Sequence, residues 1–191
     1  MSSLKGTQTE QNLLKAFAGE SQARNRYTYA AKVAGQEGLH QIAEIFTETA
    51  ENERVHAKTF FKFLEGGVVQ ITASYPAGVI GTTAGNLRAA AEGEHEEWVD
   101  LYPQFAEIAL AEGFPRVAAA FKAIARAEQA HEDRFRALLA RVEAGTLYER
   151  GDKVTWKCRK CGFRHDGTKP PAKCPACGHE SNYFEVVADT F

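Results

Sequence analysis

Two Glu-x-x-His turns, Glu53-Arg54-Val55-His56 and Glu128-Gln129-Ala130-His131, stand 75 residues apart, each inside a stripe of apolar residues at helical spacing. One stripe reads Val117, Phe121, Ile124, Glu128, His131, Phe135, Leu138, Val142. Its alternating steps of four and three mark the buried face of a packed helix. The other reads Ile42, Phe46, Thr49, Glu53, His56, Phe60, Phe63. Two further stripes carry acids inward, Glu20 between Phe17 and Tyr27, and Glu94 with Glu97 between Leu87 and Leu101. Five carboxylates and two imidazoles aimed into one core cannot stay ionised and unpaired, because burying each charge costs several kcal/mol or more. Cations must neutralise them.

The punctuation of the chain supplies four long helices. The first opens on Thr7-Gln8-Thr9-Glu10, a capping-box pattern, and runs to about Gly35. The second spans about Leu39 to Leu64 and stops at Gly66-Gly67. A loop containing Ser74-Tyr75-Pro76-Ala77-Gly78 is long enough to carry the chain from one end of a bundle to the other. The third helix runs from about Thr83 to Glu112, and the fourth begins with Pro115 and ends at Gly145. Two Glu-x-x-His turns, with a Glu from each remaining helix, form the donor set of a di-iron or di-manganese centre in a ferritin-like four-helix bundle. The i, i+3 spacing stacks carboxylate and imidazole on one helix face. Carboxylates bridge two metals, while His supplies a terminal nitrogen. Tyr27 and Tyr102 are open to two readings, as donors to these carboxylates or as simple core. His40, His95, His165 and His179 fit no partner pattern and read as ordinary surface or loop residues.

The two halves repeat. Glu37-Gly38-Leu39 recurs as Glu112-Gly113-Phe114, Phe46 as Phe121, Phe60 as Phe135 and Tyr27 as Tyr102, all at an offset of 75, whereas Glu20 and Glu94 differ by 74. One residue has therefore been gained between Glu94 and Tyr102, and a helix absorbs a single extra residue as a π-bulge, a feature common at functional sites. The pattern reads as duplication of a helix hairpin.

From Gly151 the texture changes to short aromatic and β-branched stretches with Gly and Pro turns, including three of the six prolines. Val154-Thr155-Trp156-Lys157 and Tyr183-Phe184-Glu185-Val186-Val187 read as strands bracketing all four cysteines. Cys158-Arg159-Lys160-Cys161-Gly162 and Cys174-Pro175-Ala176-Cys177-Gly178 are two knuckles separated by twelve residues. So small a segment buries little and needs a metal to hold it. Four sulfurs in tetrahedral array mean zinc or iron, and this segment taken alone favours zinc. The expected division is 1–146 for the bundle and 153–191 for the small β domain.

Composition excludes more than it assigns. With 23 Lys+Arg against 25 Asp+Glu the formal charge is −2, which argues against nucleic-acid or anionic-membrane partners recruited by bulk electrostatics. Of the acids, 20 are Glu and 5 Asp, a bias toward helix formers. The N-terminal stretch runs straight into a polar amphipathic segment and no long apolar run comes after it, so a cytoplasmic location is expected.

Joined on one chain, Glu20, Glu53-x-x-His56, Glu94-x-x-Glu97, Glu128-x-x-His131, Cys158-x-x-Cys161 and Cys174-x-x-Cys177 resemble the rubrerythrins over nearly the whole length. The resemblance implies a ferritin-like domain with a non-haem di-iron site and a rubredoxin-like domain with one iron held by four cysteinates. It implies a peroxidase that reduces hydrogen peroxide to water in oxidative-stress defence. Electrons would arrive singly, from an NAD(P)H-linked reductase or a rubredoxin, through the rubredoxin-type iron. It makes Glu20, Glu53, Glu94, Glu97, Glu128 and His131 ligands, with His56 exchanging for Glu97 at one iron as the oxidation state changes, so that Glu97 and His56 carry the catalysis. The twelve-residue gap between knuckles matches the shortened domain of this family. The family's dimers bring one subunit's rubredoxin domain to the other's di-iron site, which implies a homodimer here. The chief alternative, a ferroxidase or iron-binding role of the ferritin-like class, has no need of the four-cysteine centre. A zinc ribbon recruiting a macromolecule, and an oxygen-activating hydroxylase, are weaker alternatives.

Overall fold

The computed structural model describes residues 3–188, so the first two and last three residues of the expected domains lie outside the described residues. The bundle is built from α1 (Gln8–Gln36), α2 (His40–Phe61), α3 (Thr83–Glu96), α4 (Tyr102–Ala111) and α5 (Pro115–Glu143). A π-helical turn at Glu97–Leu101 joins α3 to α4, so these form one long rod with a widened turn where the offset slips from 74 to 75. The extra residue in such a turn rotates the downstream helix about its axis, which is how the chain restores the apolar seam after the insertion. Among the described residues, no helix is long and apolar enough to cross a membrane.

The duplication is visible in the packing. The turns Glu37-Gly38-Leu39 and Glu112-Gly113-Phe114 both place glycine at positive φ (75° and 85°), and the amides of Leu39 and Phe114 donate back to Ala34 and Ala109. This is the glycine-terminated helix end, whose backward bonds satisfy carbonyls that the helix itself leaves free. Each turn then caps the other hairpin. Glu37 accepts from the Thr83 amide at 3.2 Å at the start of α3, and Glu112 accepts from the Gln8 and Thr9 amides at 3.1 and 2.8 Å at the start of α1. A carboxylate at a helix N-terminus satisfies free N–H groups and opposes the helix dipole. Thr7 caps α1 as expected, but Glu10 accepts from the Gly6 amide and not from Thr7.

Two apolar clusters fill the bundle, one around Phe46, Leu87 and Phe135, the other around Leu13, Phe60 and Phe121. Each contains an aromatic triad. Tyr27, Phe46 and Phe135 have ring centroids 5.2–6.0 Å apart, and Tyr102, Phe60 and Phe121 have centroids 4.8–5.8 Å apart. Adding 75 to Tyr27, Phe46 and Phe60 gives Tyr102, Phe121 and Phe135, so each triad takes one residue from the opposite hairpin. The layer between the triads carries the charged residues.

The tail forms an antiparallel sheet in the order β2-β1-β3, from β1 (Val154–Cys158), β2 (Arg164–Gly167) and β3 (Phe184–Val186), over a core of Trp156, Phe184, Cys158 and Cys174. β1 and β3 lie where the sequence pattern predicts strands. β2 is not predicted by it, because Arg164-His165-Asp166-Gly167 has no β-branched residue, and its pairing with β1 comes from register, Trp156 opposite His165. The tail rests on the start of α2. Arg159 bridges Glu44 and Glu185, and the His40 ring stacks on Tyr183 with centroids 3.9 Å apart. His179 packs edge-on against the same tyrosine at 4.8 Å. His40 and His179 are therefore parts of the seam between bundle and tail, not ordinary surface residues.

Candidate metal centres

α2 and α5 deliver the two Glu-x-x-His turns face to face, and α1 and α3 close the layer with Glu20 and Glu94. Two donor clusters result, one of Glu20, Glu53, His56 and Glu128, the other of Glu53, Glu94, Glu128 and His131, with the donor atoms of each within 4.8 Å of one another. Glu53 and Glu128 belong to both. His56 Nδ1 lies 2.9 Å from Glu53 Oε2 and from Glu128 Oε1, while His131 Nδ1 lies 3.2 Å from Glu53 Oε1 and 2.9 Å from Glu128 Oε2. Each shared carboxylate thus turns one oxygen to each cluster, the posture of a bridging ligand. The imidazole rings stand 5.9 Å apart, nearly parallel.

The electrostatics are those of a site short of positive charge. Burial, then repulsion from neighbouring carboxylates, pushes Glu20, Glu94 and Glu97 well above the usual carboxylate range. Burial would raise Glu53 too, but the adjacent His131 and His56 pull it down to about 2. Against their own burial, the imidazoles of His56 and His131 are lifted by Glu128 and Glu53 to about 10 and about 9. Glu20 Oε2, Glu53 Oε1, Glu94 Oε2, both oxygens of Glu128 and His131 Nδ1 are buried without a hydrogen bond of proper geometry, the imidazoles meeting these oxygens of Glu53 and Glu128 only as close ion-pair contacts. Buried polar atoms are rarely left so. Oxygen and nitrogen donors orphaned around two adjacent points are what a pair of cations would satisfy, so the residues present fit an iron pair.

Tyrosines fix the outer acids. Tyr27 donates its hydroxyl to Glu94 Oε1 at 2.6 Å and Tyr102 donates to Glu20, again related by the repeat. Burial, with nearby carboxylates, pushes both phenols well above 10, so they stay neutral donors. Of the two readings of these residues, both hold at once: each is also a member of an aromatic triad.

Glu97 stands apart. It lies on the π turn, outside both clusters, and lines a cavity of about 350 Å³ between α1, α3 and the crossover loop. Its equivalent on α1 is Gln22 at the offset of 75, so the insertion leaves one carboxylate with no symmetry mate.

One group escapes a reading of the sequence. Glu132, buried on α5, accepts from His95 Nδ1 at 3.0 Å and from the Trp98 indole and the Arg136 guanidinium. His95 and Trp98 flank Glu97, so Glu132 pins the start of the widened turn to the helix that carries Glu128 and His131. Outer partners of this kind orient ligands. Glu132→Ala is expected to lower the bundle's metal affinity about 10- to 100-fold and to change the fluorescence of Trp98, whereas Glu132→Gln, which keeps an acceptor, falls between. Unchanged iron binding in the alanine variant would remove this role.

In the tail, all four sulfurs lie within 4.8 Å of one another, with Cys158 Sγ 3.7 Å from Cys177 Sγ and Cys161 Sγ 3.6 Å from Cys174 Sγ. These separations approach the edge of a tetrahedron whose metal–sulfur bonds are about 2.3 Å and are far longer than a disulfide bond. Gly162 and Gly178 adopt positive φ (78° and 76°), letting each knuckle turn so that amides face sulfur. Against its burial, the amides of Ala176 and Cys177 help draw Cys174 down to about 7. Four sulfurs in this arrangement fit one tetrahedral iron.

Comparison with known proteins agrees with both centres. The family model described as rubrerythrin matches residues 11–139, and that described as the rubrerythrin rubredoxin-like domain matches residues 156–185. The chain is 60% identical to a rubrerythrin of Porphyromonas gingivalis over 99% of its own length and 94% of the relative's. It is 53% identical to a rubrerythrin of Clostridium perfringens over the whole of both chains. A solved structure of fully reduced, all-ferrous nigerythrin superposes with a TM-score of 0.63 at 29% identity, covering 97% of this chain and 92% of the other. With a ferritin-like bundle fitted to a di-iron centre and a four-cysteine domain fitted to a further iron, this chain belongs to the rubrerythrin family.

Proposed function

We propose that this protein is a peroxidase that reduces hydrogen peroxide to water, using electrons relayed from an NAD(P)H-linked reductase or a rubredoxin through the iron of the tail. The observation that carries this reading is the sharing of Glu53 and Glu128 between two donor clusters, with Glu97 held in reserve beside a cavity. Glu20, Glu53, His56, Glu94, Glu128 and His131 would hold the iron pair, and Cys158, Cys161, Cys174 and Cys177 the single iron. When bound, the pair supplies the two electrons that cleave the peroxide O–O bond.

The chain's own residues set the conditions for that step. Tyr27 and Tyr102 hold Glu94 and Glu20 in place without giving up their protons, and the two aromatic triads keep water from either end of the layer. Glu97, outside both donor clusters and next to the cavity, is the carboxyl group placed to pass a proton to a departing oxygen. His56, on the same side of the layer as Glu20, is the group that Glu97 would replace as the charge at that position changes. The tail docks at His40, thirteen residues before Glu53, or about 20 Å of helix. That separation favours delivery of electrons from the tail of a second copy, in a homodimer.

The test is anaerobic. Iron-loaded protein is reduced until its visible iron–thiolate colour bleaches, then mixed with stoichiometric hydrogen peroxide or with air. Return of colour far faster with peroxide is expected, and Glu97→Ala is expected to slow it by at least about 100-fold with the tail's spectrum unchanged. Equal rates with peroxide and air, or a tail that binds only zinc, would sink the reading.

A further inference from the structure

The cavity beside Glu97 is far larger than hydrogen peroxide requires. Its volume of about 350 Å³ compares with about 30 Å³ for a water in the liquid, and it falls in the range of pockets that hold small organic ligands. The room comes from missing side chains. A Cβ on Gly19 would stand 3.6 Å from the Tyr75 ring and 3.8 Å from Glu97 Oε1, so its absence keeps open the passage between roof and carboxyl group. A Cβ on Gly93 would meet nothing within 4 Å. The roof is the crossover loop, tied down where the Tyr75 hydroxyl donates to the Lys15 carbonyl at 2.7 Å. The inner wall is Tyr27 and Tyr102, the two residues that bond to Glu94 and Glu20. A chamber lined by Ala89, Leu101 and Phe105, with Lys15, Arg26 and Glu96 also on its wall, therefore opens directly onto the residues that support the donor layer.

We propose that this cavity binds the alkyl group of small organic hydroperoxides, of the size of tert-butyl hydroperoxide, and so extends the substrate class of the centre; the inference rests on the peroxidase reading. The O–O bond of ROOH breaks, and two electrons from the reduced iron pair and two protons from water complete the products. One oxygen leaves as the alcohol ROH and the other as water. Hydrogen peroxide, with no carbon to bury, gains nothing from the chamber. Each methyl or methylene group that leaves water there improves binding about fourfold.

The experiment separates binding from turnover. Protein loaded with zinc, which does no redox chemistry, is titrated with tert-butyl hydroperoxide while its amide resonances are followed by NMR. Saturable shifts at Gly19 and Gly93 are expected. They are expected to weaken in Gly19→Ala, which places one methyl in the passage, and to vanish in Ala89→Phe, which fills the chamber from α3. In iron-loaded protein the ratio of kcat/KM for tert-butyl hydroperoxide to that for hydrogen peroxide is expected to fall about fourfold in Gly19→Ala and at least about tenfold in Ala89→Phe. No saturable shift, or a ratio unaltered in the variant that folds, overturns the proposal. Failure of the unmodified iron protein to reduce hydrogen peroxide overturns the peroxidase reading instead, and the zinc titration still decides whether the chamber binds the alkyl group.

Discussion

Glu128→Ala is expected to lose at least about 100-fold in peroxide turnover and nearly all of the bundle's iron, while the tail keeps its iron and its colour. The size of the effect comes from position. Glu128 sets one oxygen toward His56 and the other toward His131, so its removal takes a donor from both clusters at once. Glu20 belongs to one cluster only, and Glu20→Ala is expected to cost about half of the bundle iron. Metal analysis together with the iron–thiolate absorbance distinguishes the two. Mixing Glu128→Ala with Cys161→Ser, each inactive alone, tests how electrons reach the pair. If delivery runs between subunits, a mixed dimer unites one intact tail with one intact bundle site and recovers part of the activity. No recovery after subunit exchange would show that each tail serves its own bundle, and a Glu128→Ala protein with full iron content would remove Glu128 from the ligand set.

What the sequence discloses here depends on whether a feature is local or crosses between helices. The acid and imidazole positions are local, because each interrupts an apolar stripe whose period already names the buried face. The π turn is legible for a different reason: comparing Glu20 with Glu94 and Tyr27 with Tyr102 shows one residue too many within a helix, and the structure widens the turn at Glu97–Leu101. The exchange of caps, Glu37 to α3 and Glu112 to α1, is not legible, since nothing in either turn says which helix end will lie above it. Glu132 is hidden in the same way. It comes directly after His131 and looks like the start of the polar face of α5, yet His95 and Trp98 from the facing rod bond to it and it is buried. The net charge of −2 hides a further division. Residues 1–146 carry 15 basic and 19 acidic side chains, whereas residues 153–188 carry 7 and 3, so the bundle is negative by 4 and the tail positive by 4. Arg159 meeting Glu44 across the seam is one local expression of that division.

Without metal, the bundle is expected to lose thermal stability as the pH rises from about 6 to about 10, by about 10 °C or more, and with metal bound it is expected not to. His56 and His131 are held at about 10 and about 9 in the folded chain against about 6.5 when unfolded. Folding therefore favours their protonated forms. Their contribution is fully present below about pH 6.5 and is lost as the pH climbs through the raised values. Glu20, Glu94 and Glu97, raised by burial and mutual repulsion, act in the same direction, since above the ordinary carboxylate range the folded state must hold protons that the unfolded chain has released. Within the donor layer, Glu53 opposes them. Lowered to about 2, it supports the fold above about pH 4.5 and loses that support as the pH falls through 2, outside the window in question. Iron or zinc needs neutral imidazoles and ionised carboxylates, so loading expels these protons and the apparent affinity rises with pH over the interval in which the empty bundle weakens. Melting followed by helical circular dichroism, on chelator-treated and reloaded protein, reads the bundle separately from the small β tail. The same reasoning predicts that Glu94→Gln, which keeps a partner for Tyr27 but cannot ionise, flattens the decline in the metal-free protein while weakening metal binding. A metal-free melting temperature that stays level or increases between about pH 7 and 10 would mean that cations are not what neutralises this layer.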